Sequence, residues 1–269
     1  MRKRRVTERN GSFMENEREK DVIVGRNAVT EALRAGRAID SIYVRRGDRT
    51  GSVNVILRMA KQAGVTVKEA DPKKLDAMCG GENHQGVAAV AAVRAFSEVE
   101  DIFALAESRG EAPFIVVCDE IADPHNLGAI IRTAECAGAH GVVIPKRRSV
   151  GLTAAVGKAS AGAVEYLPVA RVTNLAAFLE DIKARGVWVY AADMDGSDWC
   201  QTDFSGPAAL VVGSEGFGVS RLVKEKSDFI VSLPMKGKIN SLNASVACGI
   251  LCYEIARQRA GIRARDGKA

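Results

Sequence analysis

Aromatic residues make up only 5% of this 269-residue chain. Hydrophobic residues still reach 47%, so alanine, valine, leucine and isoleucine must fill most of any core. No apolar run approaches the ~20 residues needed to span a bilayer, so no membrane association is expected. The first stretch, "MRKRRVTERNGSFMENEREK", has charges but no apolar segment, so it does not read as a secretory signal. Six cysteines (Cys79, Cys118, Cys136, Cys200, Cys248, Cys252) show no CxxC spacing. Reduced thiols in a cytoplasmic protein are expected, without disulfides or zinc. Cys248 and Cys252, four apart on a helical pattern, read as small core residues. The three histidines (His84, His125, His140) are scattered, and no metal-ligand cluster is visible. No GxGxxG follows the first strand of the larger domain, and GxxxxGK[ST] is absent. The usual dinucleotide and ATP sites are therefore not supported.

What is present is a charge balance of +5 with a pI near 8.9, which mildly favours a polyanionic partner. Residues 1–20, with "RKRR", have too little apolar content to fold. They read either as a solvated tail or as an electrostatic arm for RNA.

Residues 21–95 read as a small α/β domain. "GRNAVTEALRAG" places Val29, Ala32 and Leu33 on one helical face, with Gly36 as the stop. "SIYVRR" is a strand, "NVILRMAKQAG" a helix, "VTVKEA" a strand, and "DPKKLDAM" a short helix with Asp71 as N-cap and Pro72 in its first turn. "GVAAVAAV" reads as a buried strand. Residues 96–112 are acidic, partly helical and end in Gly and Pro, so they read as a linker. Across residues 113–269 apolar strands alternate with helices. That pattern implies a mostly parallel sheet covered on both faces, with ligands at the carboxyl ends of its strands.

Three loops fall at such ends. In "DEIADPHNLGAIIRTAECAG", Asn126 could be a plain N-cap. Arg132 could be a surface arginine or a functional one set among Ile130 and Ile131. In "VVGSEGFGVS" three glycines suggest close backbone approach to a ligand, but Glu215 would repel a phosphate. In "LPMKGKINSLNASVACG", Ser241 or Asn240 can cap the last helix, and Asn243 and Ser245 extend the polar cluster.

The segments "DPHNLGAIIRTAECAGAHGVVI", "LVVGSEGFGVS" and "LPMKGKINSLNASVACGILCYE" resemble the three motifs of the SpoU (TrmH-like) RNA ribose 2′-O-methyltransferases of the SPOUT class, in order and spacing over residues 113–260. "VGRNAVTEALRAG" through "NHQGVAAV" is similar to the substrate-binding domain of the family's ribosomal RNA members, above all those that methylate a guanosine of 23S rRNA. The resemblance implies an α/β domain with a deep trefoil knot, a homodimer, and bent S-adenosylmethionine as cofactor, with no metal. It implies catalytic roles for Asn126, Arg132, Glu215 and Asn243. Glu215 would orient Arg132, within one subunit or from the facing one. Gly213, Gly216, Leu233, Met235, Ser241 and Leu242 would hold the cofactor.

RNA would be bound by the basic cluster Lys146, Arg147 and Arg148, with Arg45 and Arg46 as weaker candidates. Scarce aromatics point to backbone and shape recognition. The implied target is large-subunit rRNA. A tRNA or another rRNA site is an alternative, as is a non-catalytic RNA-binding or ribosome-assembly factor on the same fold.

Overall fold

The structure, a computed structural model, describes residues 20–92 and 94–262. The basic tail lies outside the described residues, except for its last residue. Lys20 opens a strand, β1 (Lys20–Val24), which the sequence reading did not recognise.

The N-terminal domain continues with α1 (Arg26–Arg34), β2 (Ile39–Arg45), α2 (Gly51–Gln62), β3 (Thr66–Ala70), α3 (Pro72–Met78) and β4 (Val87–Ala92). Its sheet runs β1-β4-β2-β3, with β4 antiparallel to β1 and β2, and β2 parallel to β3. Val29, Ala32 and Leu33 are buried as their spacing requires. Asp71 caps α3 by accepting from the Lys74 N–H at 2.8 Å, and Pro72 sits in its first turn.

The larger domain contains β5 (Phe114–Asp119), α5 (Pro124–Cys136), β6 (Gly141–Pro145), α6 (Ala154–Ala159), β7 (Val169–Val172), α7 (Leu175–Ala184), β8 (Trp188–Asp198), β9 (Ala208–Gly213), α8 (Arg221–Lys226), β10 (Phe229–Ser232) and α9 (Ala244–Arg259). Its sheet runs β10-β8-β9-β5-β6-β7, and every pairing is parallel. A helix, α4 (Val99–Arg109), precedes it.

The period of two along each strand divides the core. Phe114, Val116 and Cys118 of β5 face one cluster with α5 and α9. Ile115 and Val117 face the other with α7 and α8. Both faces are covered, which is why β5 and β9 carry unbroken apolar runs.

Residues 96–112, expected as a linker, are packed chain. Ser97 bridges to Ala170 beside β7, and Ile102 of α4 is buried in the second cluster. Gly141 is small because of that packing, since a Cβ there would lie 2.4 Å from Ile102 Cγ1. The segment's acids and its end in Gly and Pro resemble a linker, while Val99, Ile102 and Phe103 pack it against the core.

The two domains meet through charge. Arg37 of the small domain donates to Asp21 at 2.7 Å and to Glu165 at 3.1 Å. Arg94 also pairs with Glu165. The Tyr166 hydroxyl donates to Glu31 at 2.7 Å. Gly162, at φ +91°, lets the backbones approach, because a Cβ there would meet Glu31 Cβ at 2.4 Å.

All six cysteines are free thiols. Cys248 and Cys252 are both buried, with sulfurs 3.6 Å apart. Among the described residues no helix is long and apolar enough to cross a membrane.

His140 is fully buried. Its Nδ1 accepts from the Phe114 N–H at 2.9 Å, so the ring proton sits on Nε2 and goes to Glu111 at 3.0 Å. Burial holds its pKa below the ordinary 6.5. The unfolded chain therefore takes up a proton near that pH that the folded ring refuses. His140 is expected to contribute full stability above pH 6.5 and to lose it as pH falls through the lowered folded value. Urea midpoints measured on both sides of pH 6.5 check this, and His140→Gln should remove that part of the slope.

Candidate active site

Three chain segments converge at the carboxyl end of the parallel sheet. Each is placed by the strand that precedes it.

The first follows β5. Asp119, the last residue of that strand, is buried and accepts from the Ser220 N–H at 2.7 Å. This ties the end of β5 to the start of α8. Asp123 then caps α5 by accepting from the His125 N–H at 3.0 Å, with Pro124 in the first turn. Asn126 is thus not the cap. It lies inside the first turn and is buried, with its amide turned toward the neighbouring loops.

The second follows β9. The chain turns through Ser214–Gly218, and the Gly218 N–H donates to the Ser214 carbonyl at 2.9 Å. Gly218 takes φ +65°. Gly213 packs against the returning arm, where a Cβ would lie 2.0 Å from the Gly218 carbonyl carbon. Glu215, Gly216 and Phe217 form the tip.

The third follows β10 and leads into α9. The expected caps Ser241 and Asn240 do not cap that helix. Asn243 does, its Oδ1 accepting from the Ser245 N–H at 2.9 Å and the Val246 N–H at 3.3 Å. The sequence holds several small polar residues in a row, and only backbone geometry selects among them.

Capping orients the rest of Asn243. With its oxygen engaged at the helix terminus, its Nδ2 points the other way. It donates to Asn126 Oδ1 at 2.9 Å and to Glu215 Oε1. Asn126 Nδ2 donates to the same Glu215 oxygen at 2.9 Å. Residues 117 and 89 positions apart in sequence thus form one closed polar cluster. A carboxylate only accepts, so two amide donors on one oxygen leave Oε2 available.

Beside this cluster lies a cavity of about 470 Å³. Gly213, Gly216, Leu233, Met235, Ser241 and Leu242 all line it, together with Val212, Val231 and Ala244. Its other wall was not anticipated. β10 pairs Ile230 with Ala191 and then Val231 with Ser197, so residues 192–196 of β8 loop out between consecutive partners. Gly196 permits this, since a Cβ there would lie 2.5 Å from the Ile230 carbonyl. The excursion carries Asp193, Met194 and Asp195 to the cavity, and Lys224 pairs with Asp193 at 2.7 Å. The available signal was "ADMDGSD", acids gathered at the carboxyl end of a buried strand.

Arg132 is exposed on α5 and forms no ion pair among the described residues. Within one chain Glu215 bonds to the two asparagines and not to Arg132. Lys146 and Arg147 are exposed after β6, and Arg148 pairs with Glu120 at 2.9 Å. Arg45 and Arg46 are exposed at the end of β2, in the small domain. No cluster of His, Cys, Asp or Glu among the described residues could hold a metal ion.

A parallel α/β domain with a polar cluster and an apolar cavity at its carboxyl edge, preceded by a small α/β domain, is a two-part arrangement that sequence comparison resolves. Residues 113–253 match the SpoU rRNA methylase family, and residues 22–97 match the substrate-binding domain of RNA 2′-O ribose methyltransferases. The chain is 50% identical over 240 residues to YacO of Bacillus subtilis, which is named as a TrmH family tRNA/rRNA methyltransferase. That match covers 89% of this chain and 96% of YacO. In structure it is similar to an AdoMet-bound rRNA methyltransferase from Sinorhizobium meliloti, with a TM-score of 0.71 and 27% identity over 89% of this chain and 87% of that one. A TrmH/SpoU tRNA modifying enzyme from A. aeolicus matches with a TM-score of 0.52 and 30% identity, over 56% of this chain and 77% of that one. The protein belongs to the SpoU family of RNA methyltransferases.

Proposed function

We propose that the protein transfers a methyl group from S-adenosylmethionine to the 2′-oxygen of a ribose in RNA, with a guanosine of 23S rRNA as the target. The observation that carries this is the Asn126–Glu215–Asn243 cluster at the rim of the cavity. The cavity suits this cofactor. Val212, Val231, Leu233 and Leu242 offer apolar walls for a purine, and the backbone at Gly213 is open to its edge. Asp195 would repel a phosphate but suits a cationic ligand, whereas the charge of Asp193 is met by Lys224 in the same wall. When bound, the cofactor supplies a methyl group on an electrophilic sulfonium.

The chain's own residues must make a ribose hydroxyl reactive. A free hydroxyl is a weak nucleophile at neutral pH, so proton removal or alkoxide stabilisation is required. Glu215 Oε2, not engaged by the asparagines, is the acceptor closest to hand. Arg132 offers a guanidinium, a planar fork of donors with positive charge and no acceptor. As a cation it lowers the pKa of a nearby hydroxyl and holds the adjacent phosphate. Val246 and Tyr253 of α9, the helix that Asn243 caps, are half exposed. A second copy covering them in a homodimer would complete the surroundings of Arg132.

Arg132→Lys keeps the charge but loses the planar fork, so kcat/KM is expected to fall roughly 10- to 100-fold. Steady-state methyl transfer across pH checks this. Full activity in the lysine variant would remove both a special base role and a bidentate one.

One comparison favours rRNA over tRNA. The rRNA methyltransferase of S. meliloti matches nearly the whole chain, whereas the tRNA modifying enzyme matches 56% of it. The N-terminal domain, joined to the larger one by the pairs of Arg37 and Arg94 with Glu165, would add surface for a large RNA. The deciding experiment supplies labelled cofactor with unmodified 23S rRNA, 16S rRNA and tRNA, then maps the methylated nucleotide. Label in tRNA alone would overturn the target. No label in any RNA would favour a binding or assembly factor.

A further inference from the structure

We infer that Phe217 is a stacking platform for a nucleobase of the RNA substrate, next to the ribose that receives the methyl group. The inference rests on the reading of the protein as an RNA 2′-O-methyltransferase and adds the residue that positions the nucleotide.

Phe217 is 92% exposed, more than any other large hydrophobic side chain among the described residues. The fold does not need it there. The turn is closed by the Gly218 N–H to Ser214 bond and by the contact of Gly213 with the Gly218 backbone. Nothing lies within 4 Å of a Cβ built at the neighbouring Gly216. Phe217 belongs to none of the hydrophobic clusters. Several other aromatic rings are engaged, while Tyr253 on α9 is half exposed. Trp188, Tyr190, Phe204 and Phe229 pack on one another, and Tyr43 lies under Lys68 and Lys74. Phe217 alone of these offers both faces to solvent.

Its position is specific. It lies two residues from Glu215, so the two Cα atoms are at most ~7.6 Å apart. Both residues line the same cavity. The carboxylate and the ring therefore stand on one short turn, within reach of one nucleotide or two adjacent ones. The loop after β10 contributes Met235 to the same cavity and holds Lys236 and Lys238 exposed beside it, with no ion pair among the described residues. An aromatic face for a base and two ammonium groups for phosphates are the ingredients of single-stranded RNA binding. A single ring on a narrow turn is also far short of the ~800 Å² per partner of a stable protein interface. Stacking tolerates any base, so Phe217 would position the nucleotide and leave base identity to other contacts.

The test uses the full-length protein, labelled cofactor and an unmodified 23S rRNA transcript. Phe217→Ala and Phe217→Leu are expected to raise KM for RNA by roughly 5- to 150-fold, while Phe217→Tyr and Phe217→Trp stay within about threefold of the parent. Because Phe217 also lines the cofactor cavity, affinity for S-adenosylmethionine is measured by calorimetry without RNA, and it should fall less than KM for RNA rises; a larger loss of cofactor affinity would assign the ring to the cofactor and overturn the inference. In Phe217→Trp, saturating RNA should quench additional tryptophan emission relative to the parent. Parent-like KM in the alanine and leucine variants, or no added quenching, would overturn the inference. So would loss of dimer on sedimentation of Phe217→Ala, which would assign the ring to a second copy. If the parent protein itself methylates no RNA, the failure lies with the functional reading instead.

Discussion

Glu215→Gln is expected to lower kcat for methyl transfer by about 10²-fold while S-adenosylmethionine affinity stays within about threefold. The glutamine keeps the shape of the side chain and one acceptor oxygen. It loses the charge that strengthens the bonds from Asn126 and Asn243, and it turns the second oxygen into a donor. The cluster then faces the ribose with an N–H where an acceptor stood. The apolar walls and the Gly213 backbone remain, so the cavity should bind its ligand as before. Asn243→Asp tests the same cluster from the other side. Aspartate still caps α9, so the helix should hold, but its second oxygen would face Glu215 and not donate to it. Single-turnover methyl transfer and calorimetric cofactor binding, measured on each variant, give the split. A larger loss in affinity than in rate would move Glu215 from catalysis to cofactor binding.

Gly213→Ala is expected to destabilise the fold by about 3 kcal/mol or more and to abolish cofactor binding. The added methyl carbon would sit 2.0 Å from the Gly218 carbonyl carbon and 2.2 Å from the Val219 nitrogen. Both are backbone atoms, so no rotamer change relieves the clash. The turn must open, which pulls Glu215 away from Asn126 and Asn243 and displaces one wall of the cavity. For a chain of this size such a loss corresponds to a melting temperature lower by roughly 6–12 °C. Thermal unfolding monitored by circular dichroism checks the first part, and calorimetry on the folded variant the second. Gly216→Ala serves as the control, because a Cβ there meets nothing within 4 Å.

Much of the architecture was readable from residue patterns. Unbroken apolar strands alternating with amphipathic helices in residues 113–260 required a parallel sheet covered on both sides, and β5 and β9 are buried along nearly their whole length. Asp71 and Pro72 specified the start of α3 because a cap is a local device. The misreadings have one cause. β1 pairs only with β4, and α4 is held by Ile102 against Gly141, so each is defined by a distant partner. The same holds for the cap of α9, where Asn243 prevails over Ser241 and Asn240 through backbone direction.

The loop "GSEGFGVS" shows where pattern stops and folding takes over. Its residues spoke against a phosphate cradle, because a carboxylate repels phosphate and Glu215 stands in the middle. The resemblance of the three motifs pointed to Asn126, Glu215 and Asn243. That these three hydrogen-bond to one another, with Asn243 aimed by its own capping oxygen, came only from the tertiary structure. So did the acidic wall of Asp193 and Asp195, produced by an excursion of β8 that depends on how β10 pairs with it. Local propensity and apolar periodicity act over a few residues and are written in sequence. The direction of a polar side chain depends on the backbone that returns beside it, and here that backbone arrives from 28 to 117 residues away.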